Sequence, residues 1–69
     1  MTRRFQFVAG RSAKFWEIDA HGNQVTVRYG RLGTEGQTQT KTLDSAGAVQ
    51  QHVERLIAQK TKKGYVEAV

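Results

Sequence analysis

Sixty-nine residues suffice for one domain with a thin core, and the chain contains no cysteine for disulfides or thiolate metal sites. Eleven Lys and Arg residues outnumber six Asp and Glu residues, and the formal net charge of +5 favours polyanionic partners such as nucleic acid. No apolar stretch is long enough to cross a bilayer, so we expect no membrane contact and a cytoplasmic location. Residues 1–43 hold seven of the basic side chains and three of the acidic ones, so most of the excess lies there.

Three runs of alternating apolar and polar residues predict β-strands before residue 44. The apolar positions in these runs are Phe5 and Phe7, then Trp16 and Ile18, then Val25, Val27 and Tyr29. Glycine-containing turns separate the runs and predict short hairpins. A fourth run, residues 37–43, is rich in threonine and almost entirely polar, which predicts an edge strand or a strand that faces a partner.

The period changes to that of a helix after residue 44, and we expect one helix over residues 45–62. Asp44 or Ser45 is suited to cap its amino end, and Gly64 to end it in a left-handed conformation. The stripe expected to face the core consists of Ala46, Val49, Val53, Leu56, Ile57 and Lys60. We expect Tyr65 and Val66 to fold back against that core. The whole pattern predicts one α+β domain over residues 1–69, a four-stranded antiparallel sheet with one C-terminal helix packed across it.

The residues that could carry catalysis do not form a recognisable set. His21 falls in a predicted turn and His52 on the helix, without a local carboxylate constellation beside either. Ser12 and Ser45 fit turn and capping positions, and two histidines without cysteine give no metal-ligand spacing. We therefore expect no catalytic residues, no metal, no cofactor and no small-molecule substrate, and we interpret the chain as a non-enzymatic module.

The segment 28–36 combines one aromatic ring, two arginines and glycines at every third position. Glycine lets backbone approach a ligand closely, a ring stacks on sugars or bases, and guanidinium groups bind phosphate. The alternative is a plain hairpin in which Tyr29 continues the apolar row of Val25 and Val27. Chain pattern alone leaves both interpretations open, whereas the alternation around Trp16 favours a core anchor over a stacking platform.

An ordered set of residues resembles the WGR domain, a family named for a Trp-Gly-Arg motif and found in poly(ADP-ribose) polymerases and small bacterial proteins. The set is Lys14-Phe15-Trp16-Glu17-Ile18, then Tyr29-Gly30-Arg31-Leu32-Gly33, Gly36-Gln37, Lys41, a helix, Lys60-Thr61 and Gly64-Tyr65. The resemblance implies a sheet with one helix across it and DNA binding. It also implies that the ring at Tyr29 packs on the sugar of a terminal nucleotide and that Arg31 contacts DNA. Tyrosine stands here in place of the motif's tryptophan and offers less stacking area.

The predicted function is DNA binding by a monomer, through backbone and end contacts at ends or nicks, with weak sequence preference. The expected contact residues are Tyr29, Arg31, Arg28, Lys41, Gln37 and Lys60. One alternative is a protein-interaction adaptor that adds a partner strand to the polar edge Gln37–Thr42. Another is binding of single-stranded nucleic acid or RNA, which uses the same stacking and positive charge.

Overall fold

A computed structural model describes residues 2–68, which form one antiparallel sheet with a helix across it. In chain order the elements are β1 (Thr2–Ala9), β2 (Ser12–His21), β3 (Gln24–Arg31), β4 (Gln37–Thr42), α1 (Ala46–Lys62) and β5 (Val66–Ala68). The strands lie in the order β4-β3-β2-β1-β5, and all neighbouring strands are antiparallel. The predicted α+β fold is confirmed. The short β5 was not predicted, because three residues are too few to display an alternating pattern.

The pairing register places the aromatic side chains of three strands in one row across the sheet. Phe5 lies opposite Trp16, Trp16 lies opposite Tyr29, and Tyr29 lies opposite Gln37 on β4. Residues directly opposite each other in antiparallel strands point to the same face. This is the face that α1 covers, because Phe5 and Trp16 form the core together with Val49 of the helix. We call it the helix side of the sheet.

The helix buries only part of its predicted stripe. Val49 is 4% exposed and lies in the core, whereas Ala46 is exposed. The half-buried apolar positions of the helix at the edge of the core are Val53, Leu56 and Ile57. These three residues face the core as expected, although they are only partly buried. The physical reason is that α1 packs over β2 and β3, while all six residues of β4 stay exposed. Trp16 is 3% exposed, as expected for a core anchor.

Both ends of α1 follow the signals in the sequence. The Ser45 side chain caps the amino end by accepting a hydrogen bond of 3.1 Å from the backbone N–H of Ala48. The chain leaves the carboxyl end through Gly64, which has a φ of 107°. Within residues 2–68, no helix is both long and apolar enough to cross a membrane.

The segment after the helix returns to the sheet, but its two apolar residues behave differently. Tyr65 packs against the core, and its ring centroid lies 5.4 Å from that of Phe7. Val66 is 70% exposed, so the prediction that it folds back on the core is wrong. Val66 instead pairs with Gln6 in β5, and this register turns its side chain to the face opposite the helix.

That opposite face carries a second, smaller packed unit around Phe15. The Phe15 ring is 1% exposed, and the guanidinium carbons of Arg4 and Arg28 lie 4.8 Å and 5.1 Å from its centroid. Both arginines also donate hydrogen bonds to the Glu17 carboxylate. Long arginine stems can cover apolar surface while their charged ends remain near water. Two arginines joined through one carboxylate therefore shield Phe15 where no helix is present.

Candidate nucleic-acid interface

The loop after β3 is closed by close contact between two glycine backbones. The Cα of Gly36 lies 2.8 Å from the place that a Cβ would occupy at Gly30, so a side chain at Gly30 would displace the loop. Gly36 has a φ of 71°, and a Cβ there would overlap the carbonyl oxygen of Tyr29. The backbone N–H and the hydroxyl of Thr34 both donate to the carbonyl oxygen of Arg31, at 3.1 Å and 2.7 Å. The glycine of the Tyr-Gly-Arg sequence thus lets the loop pack tightly beside the residues that flank it.

Tyr29 combines the two interpretations that the sequence left open. Its half-buried ring packs against the core in the same row as Val25 and Val27. Its hydroxyl donates to Oε1 of Gln37 at 3.3 Å and accepts from Nε2 of Gln39 at 3.4 Å. Tyr29 also lines open cavities on the helix side. Tyr29 is therefore both a packing residue and an accessible aromatic surface.

Two of the cavities on the helix side share Tyr29 in their lining. The larger, about 720 Å³, runs between α1 and the β3–β4 part of the sheet, and we call it the main groove. The smaller, about 270 Å³, lies beside Lys14 and Arg31. Both cavities are lined by Tyr29 and by Lys60 of the helix. Among the described residues, no acidic side chain lines either cavity, so their surroundings are neutral or positive.

Four basic side chains border these cavities, contributed by three strands and the helix. They are Lys14 on β2, Arg31 on β3, Lys41 on β4 and Lys60 on α1. Across residues 2–68, none of the four forms an ion pair with an acidic side chain. Uncompensated cations around a concave surface attract anions, among them the phosphate groups of nucleic acid.

Lys60 is the most enclosed of these cations. Its Nζ lies 5.7 Å from the centroid of the Trp16 ring and 5.3 Å from that of Tyr65. Burial, with the like charges of Lys63 and Lys14 adding to it, lowers the pKa of Lys60. A bound phosphate would offset the like-charge repulsion, so the arrangement favours an anion at this position.

Arg28, also expected to contact DNA, lies on the other face of the sheet. Its Nε and Nη2 each donate to the Glu17 carboxylate at 3.0 Å, and its Nη1 donates to the carbonyl oxygen of Glu35 at 3.2 Å. Hydrogen bonding from Arg28 is the main cause that lowers the pKa of Glu17, and the same bond raises the pKa of Arg28. The charge of Arg28 is therefore compensated by Glu17, and a contact between Arg28 and DNA stays a prediction.

The structure brings the other predicted residues together and adds several that were not among the expected DNA contacts. Gln37 and Lys41 lie on the helix side of β4, opposite Tyr29 and Val25, respectively. The added residues are Lys14, Gln39, His52, Leu56 and Gln59. The spacing of residues 52, 56, 59 and 60 indicates that they share one face of the helix. This face lines the main groove only because α1 packs over β2 and β3. Within residues 2–68, no cluster of three or more His, Asp or Glu side chains could hold a metal ion.

Comparison with known proteins gives matches over the whole chain. The family described as WGR domain matches residues 1–69. "Uncharacterized protein YfeS" of Escherichia coli K12 is 42% identical over 67 residues, which cover 97% of this chain and 28% of that protein. "Protein YehF" of the same organism is 40% identical over 65 residues, which cover 94% of this chain and 24% of that protein.

A solved structure gives the same result for the fold. The crystal structure of a Bacteroides fragilis protein superposes with a TM-score of 0.97 at 54% identity, covering 100% of this chain and 20% of that one. The chain thus spans between 20% and 28% of the length of these relatives. Each relative contains a region similar to this chain within a much longer protein.

Proposed function

Because the chain belongs to the WGR domain family, whose module is often implicated in nucleic-acid binding, we propose that it binds duplex DNA on the helix side of its sheet. The observation that carries this proposal is a set of four cations around Tyr29 that form no ion pair with any acidic side chain of residues 2–68: Lys14, Arg31, Lys41 and Lys60. The family match indicates no catalytic family. The proposed role is therefore to hold DNA rather than to change it.

The distribution of charge supports this choice of face. On the face opposite the helix, Arg4 and Arg28 share the Glu17 carboxylate, so one of their two positive charges is compensated and both guanidinium groups already have a carboxylate partner. Lys14, Arg31, Lys41 and Lys60 on the helix side have no such acidic partner among residues 2–68. A polyanion gains more by replacing small counterions at uncompensated cations than by competing with a carboxylate.

The contacts available on this face favour phosphate and sugar over base sequence. Lysine ammonium groups bind phosphate as point charges, and such contacts position DNA without reading its sequence. The apolar residues of α1 pack against the sheet, and of the four proposed phosphate contacts only Lys60 lies on this helix, so the proposed surface does not insert α1 into the major groove. We therefore propose binding with weak sequence preference.

Tyr29 would supply the preference for ends or nicks. Half-buried Tyr29 lines the cavity beside Arg31. A duplex exposes the face of a sugar only where a strand terminates. Packing of the ring on that sugar would add apolar contact without adding charge. The arginine would meanwhile hold a neighbouring phosphate.

The salt dependence of duplex affinity tests the proposal. If three to five phosphates are neutralised, log K should fall against log salt with a slope of roughly −3 to −5. Arg31→Ala should weaken binding to all sequences and flatten the slope by about one unit. Arg55→Ala is the matched control, because Arg55 is exposed on α1 and lines neither cavity. Equal slopes and affinities for the parent and Arg31→Ala proteins would contradict the proposal.

Replacement of Tyr29 tests the stacking contact separately. Tyr29→Ala should cost about 1–3 kcal/mol of binding free energy and leave the salt slope nearly unchanged, because stacking carries no net charge. Tyr29→Leu keeps an apolar side chain in the core row, so it controls for loss of folding. Both variants should lose preference for linear or nicked duplex over closed circles. Retained preference in a folded Tyr29→Leu protein would exclude the ring as its source.

One observation favours a second function, strand addition by a protein partner. β4 is the outer strand of the sheet beside β3, and all six of its residues are exposed. An edge strand has a row of backbone groups available to a further strand. The adaptor proposal predicts that a bound partner slows amide exchange along residues 37–42, whereas DNA binding by Lys and Arg side chains does not require this protection.

A further inference from the structure

The main groove has a composition suited to an unpaired base. Trp16 and Val27 line it from the sheet, and Leu56 lines it from the helix. Two neutral amides, Gln39 on β4 and Gln59 on α1, lie on opposite sides of this apolar surface. Apolar cavities with a few placed polar groups are typical of sites for small planar ligands, and about 720 Å³ is within their usual volume.

The charges of the groove restrict the ligand further. Lys41 and Lys60 both line the groove, and no acidic side chain does so among residues 2–68. The complementary ligand has a flat, partly apolar body with hydrogen-bonding edges, and it carries negative charge. A nucleotide has all of these properties, because its base can lie on apolar surface while its phosphate pairs with lysine.

The groove also continues from the surface proposed to hold duplex DNA. Tyr29 and Lys60 line both the main groove and the cavity beside Arg31. From Arg31 to Val25, β3 extends for about 20 Å, so the combined surface is longer than one nucleotide. A strand held near Arg31 can therefore continue into the main groove once it is no longer base-paired.

We infer that the main groove binds the unpaired nucleotides of a single-stranded overhang at a duplex end. The bases lie over Val27 and Leu56, Gln39 and Gln59 contact their edges, and Lys60 pairs with phosphate. This inference rests on the proposed function, since the duplex must be held beside Arg31. A paired base is excluded, because its Watson–Crick edge is occupied by the complementary strand and its faces are stacked within the duplex.

Affinity measurements with matched duplexes test the inference. One duplex is blunt, and two others carry three extra dT nucleotides as a 3′ or a 5′ overhang. At least one overhang should raise affinity by about fivefold or more over the blunt duplex. In the double variant Gln39→Ala, Gln59→Ala, the overhang duplex should bind no more tightly than the blunt duplex, so the gain is lost while duplex binding itself remains. Gln51→Ala, an exposed position of α1 outside the groove, should retain both.

Methyl NMR locates the overhang without relying on a variant. Signals of Val27 and Leu56 should shift with the overhang duplex and much less with the blunt one. Val8 and Val66 serve as reference methyls, because they are 69% and 70% exposed and lie on the face opposite the helix. Their signals should respond equally little to both duplexes.

The outcomes separate this inference from the proposed function. Blunt and overhang duplexes that bind equally, with unchanged Val27 and Leu56 signals, would overturn the inference and leave duplex binding intact. A gain in affinity from the overhang that persists in the double variant, with unchanged methyl signals of Val27 and Leu56, would also overturn the inference. Failure of every duplex to bind would overturn both proposals together.

Discussion

The contact between the loop and the end of β3 makes substitution of Gly36 a strong test of the hairpin structure. Gly36→Ala forces an L-residue to a φ of 71°, which costs about 1–2 kcal/mol. The new Cβ would also overlap the Tyr29 carbonyl oxygen and lie 2.8 Å from Cζ of Phe15. Backbone cannot rotate away as a flexible side chain can, so relief of the overlap should add about 1–3 kcal/mol. We expect a total loss of about 2–5 kcal/mol in the free energy of unfolding.

Gly33→Ala isolates the steric part of this effect. Gly33 has a φ of 90°, but a Cβ there would meet nothing within 4 Å, so only the backbone penalty applies. For a domain of this size, the difference between the variants should separate their melting temperatures by at least about 4 °C, measured by circular dichroism. If the melting temperature of the Gly36→Ala protein is as high as that of the Gly33→Ala protein, the close contact at Gly36 is refuted.

Two further predictions concern the packed faces. Glu17→Gln should lower stability at pH 7 by about 1–2 kcal/mol, more than Glu67→Gln, whose parent carboxylate lies in a more exposed pair. Since Arg28 lowers the pKa of folded Glu17, this contribution is present above the unfolded pKa and disappears as pH falls through the folded one. Urea unfolding should therefore show the parent and Glu17→Gln proteins converging in acid, and a constant difference would contradict the ion-pair explanation. Leu56→Ala should cost about 2 kcal/mol, the low end for a leucine that is half-buried, and exposed Val66→Ala should cost less than about 0.5 kcal/mol. Equal urea midpoints for these two variants would show that Leu56 does not contribute to the core.

The elements with strong local signals could be predicted from the sequence. Alternation predicted the first three strands, and the capping residues predicted the ends of the helix, with Asp44 or Ser45 at one end and Gly64 at the other, because these features depend on neighbouring residues only. β5 could not be predicted in the same way. It becomes a strand through pairing of Gln6 with Val66, which lie far apart in the chain.

The candidate site was predictable in part for a similar reason. The helix-side cluster of Tyr29 with Lys41 follows from strand alternation and hairpin register. Proximity of Lys60 to these residues depends on how α1 lies across the sheet, which periodicity does not determine. Arg28 was grouped with Arg31 because both flank Tyr29, although odd and even positions of a strand point to opposite faces. Its pairing with Glu17 required knowledge of the register between β2 and β3.

The position of Trp16 provides this small chain with an internal optical probe. It is the only tryptophan in the sequence, it is 3% exposed, and it lies beneath the main groove with the Lys60 ammonium 5.7 Å from its ring centroid. Such burial gives emission at short wavelength in the folded protein. An anion bound at Lys60 changes the electric field at the indole, so occupancy of the groove can be followed by intrinsic fluorescence in unlabelled protein.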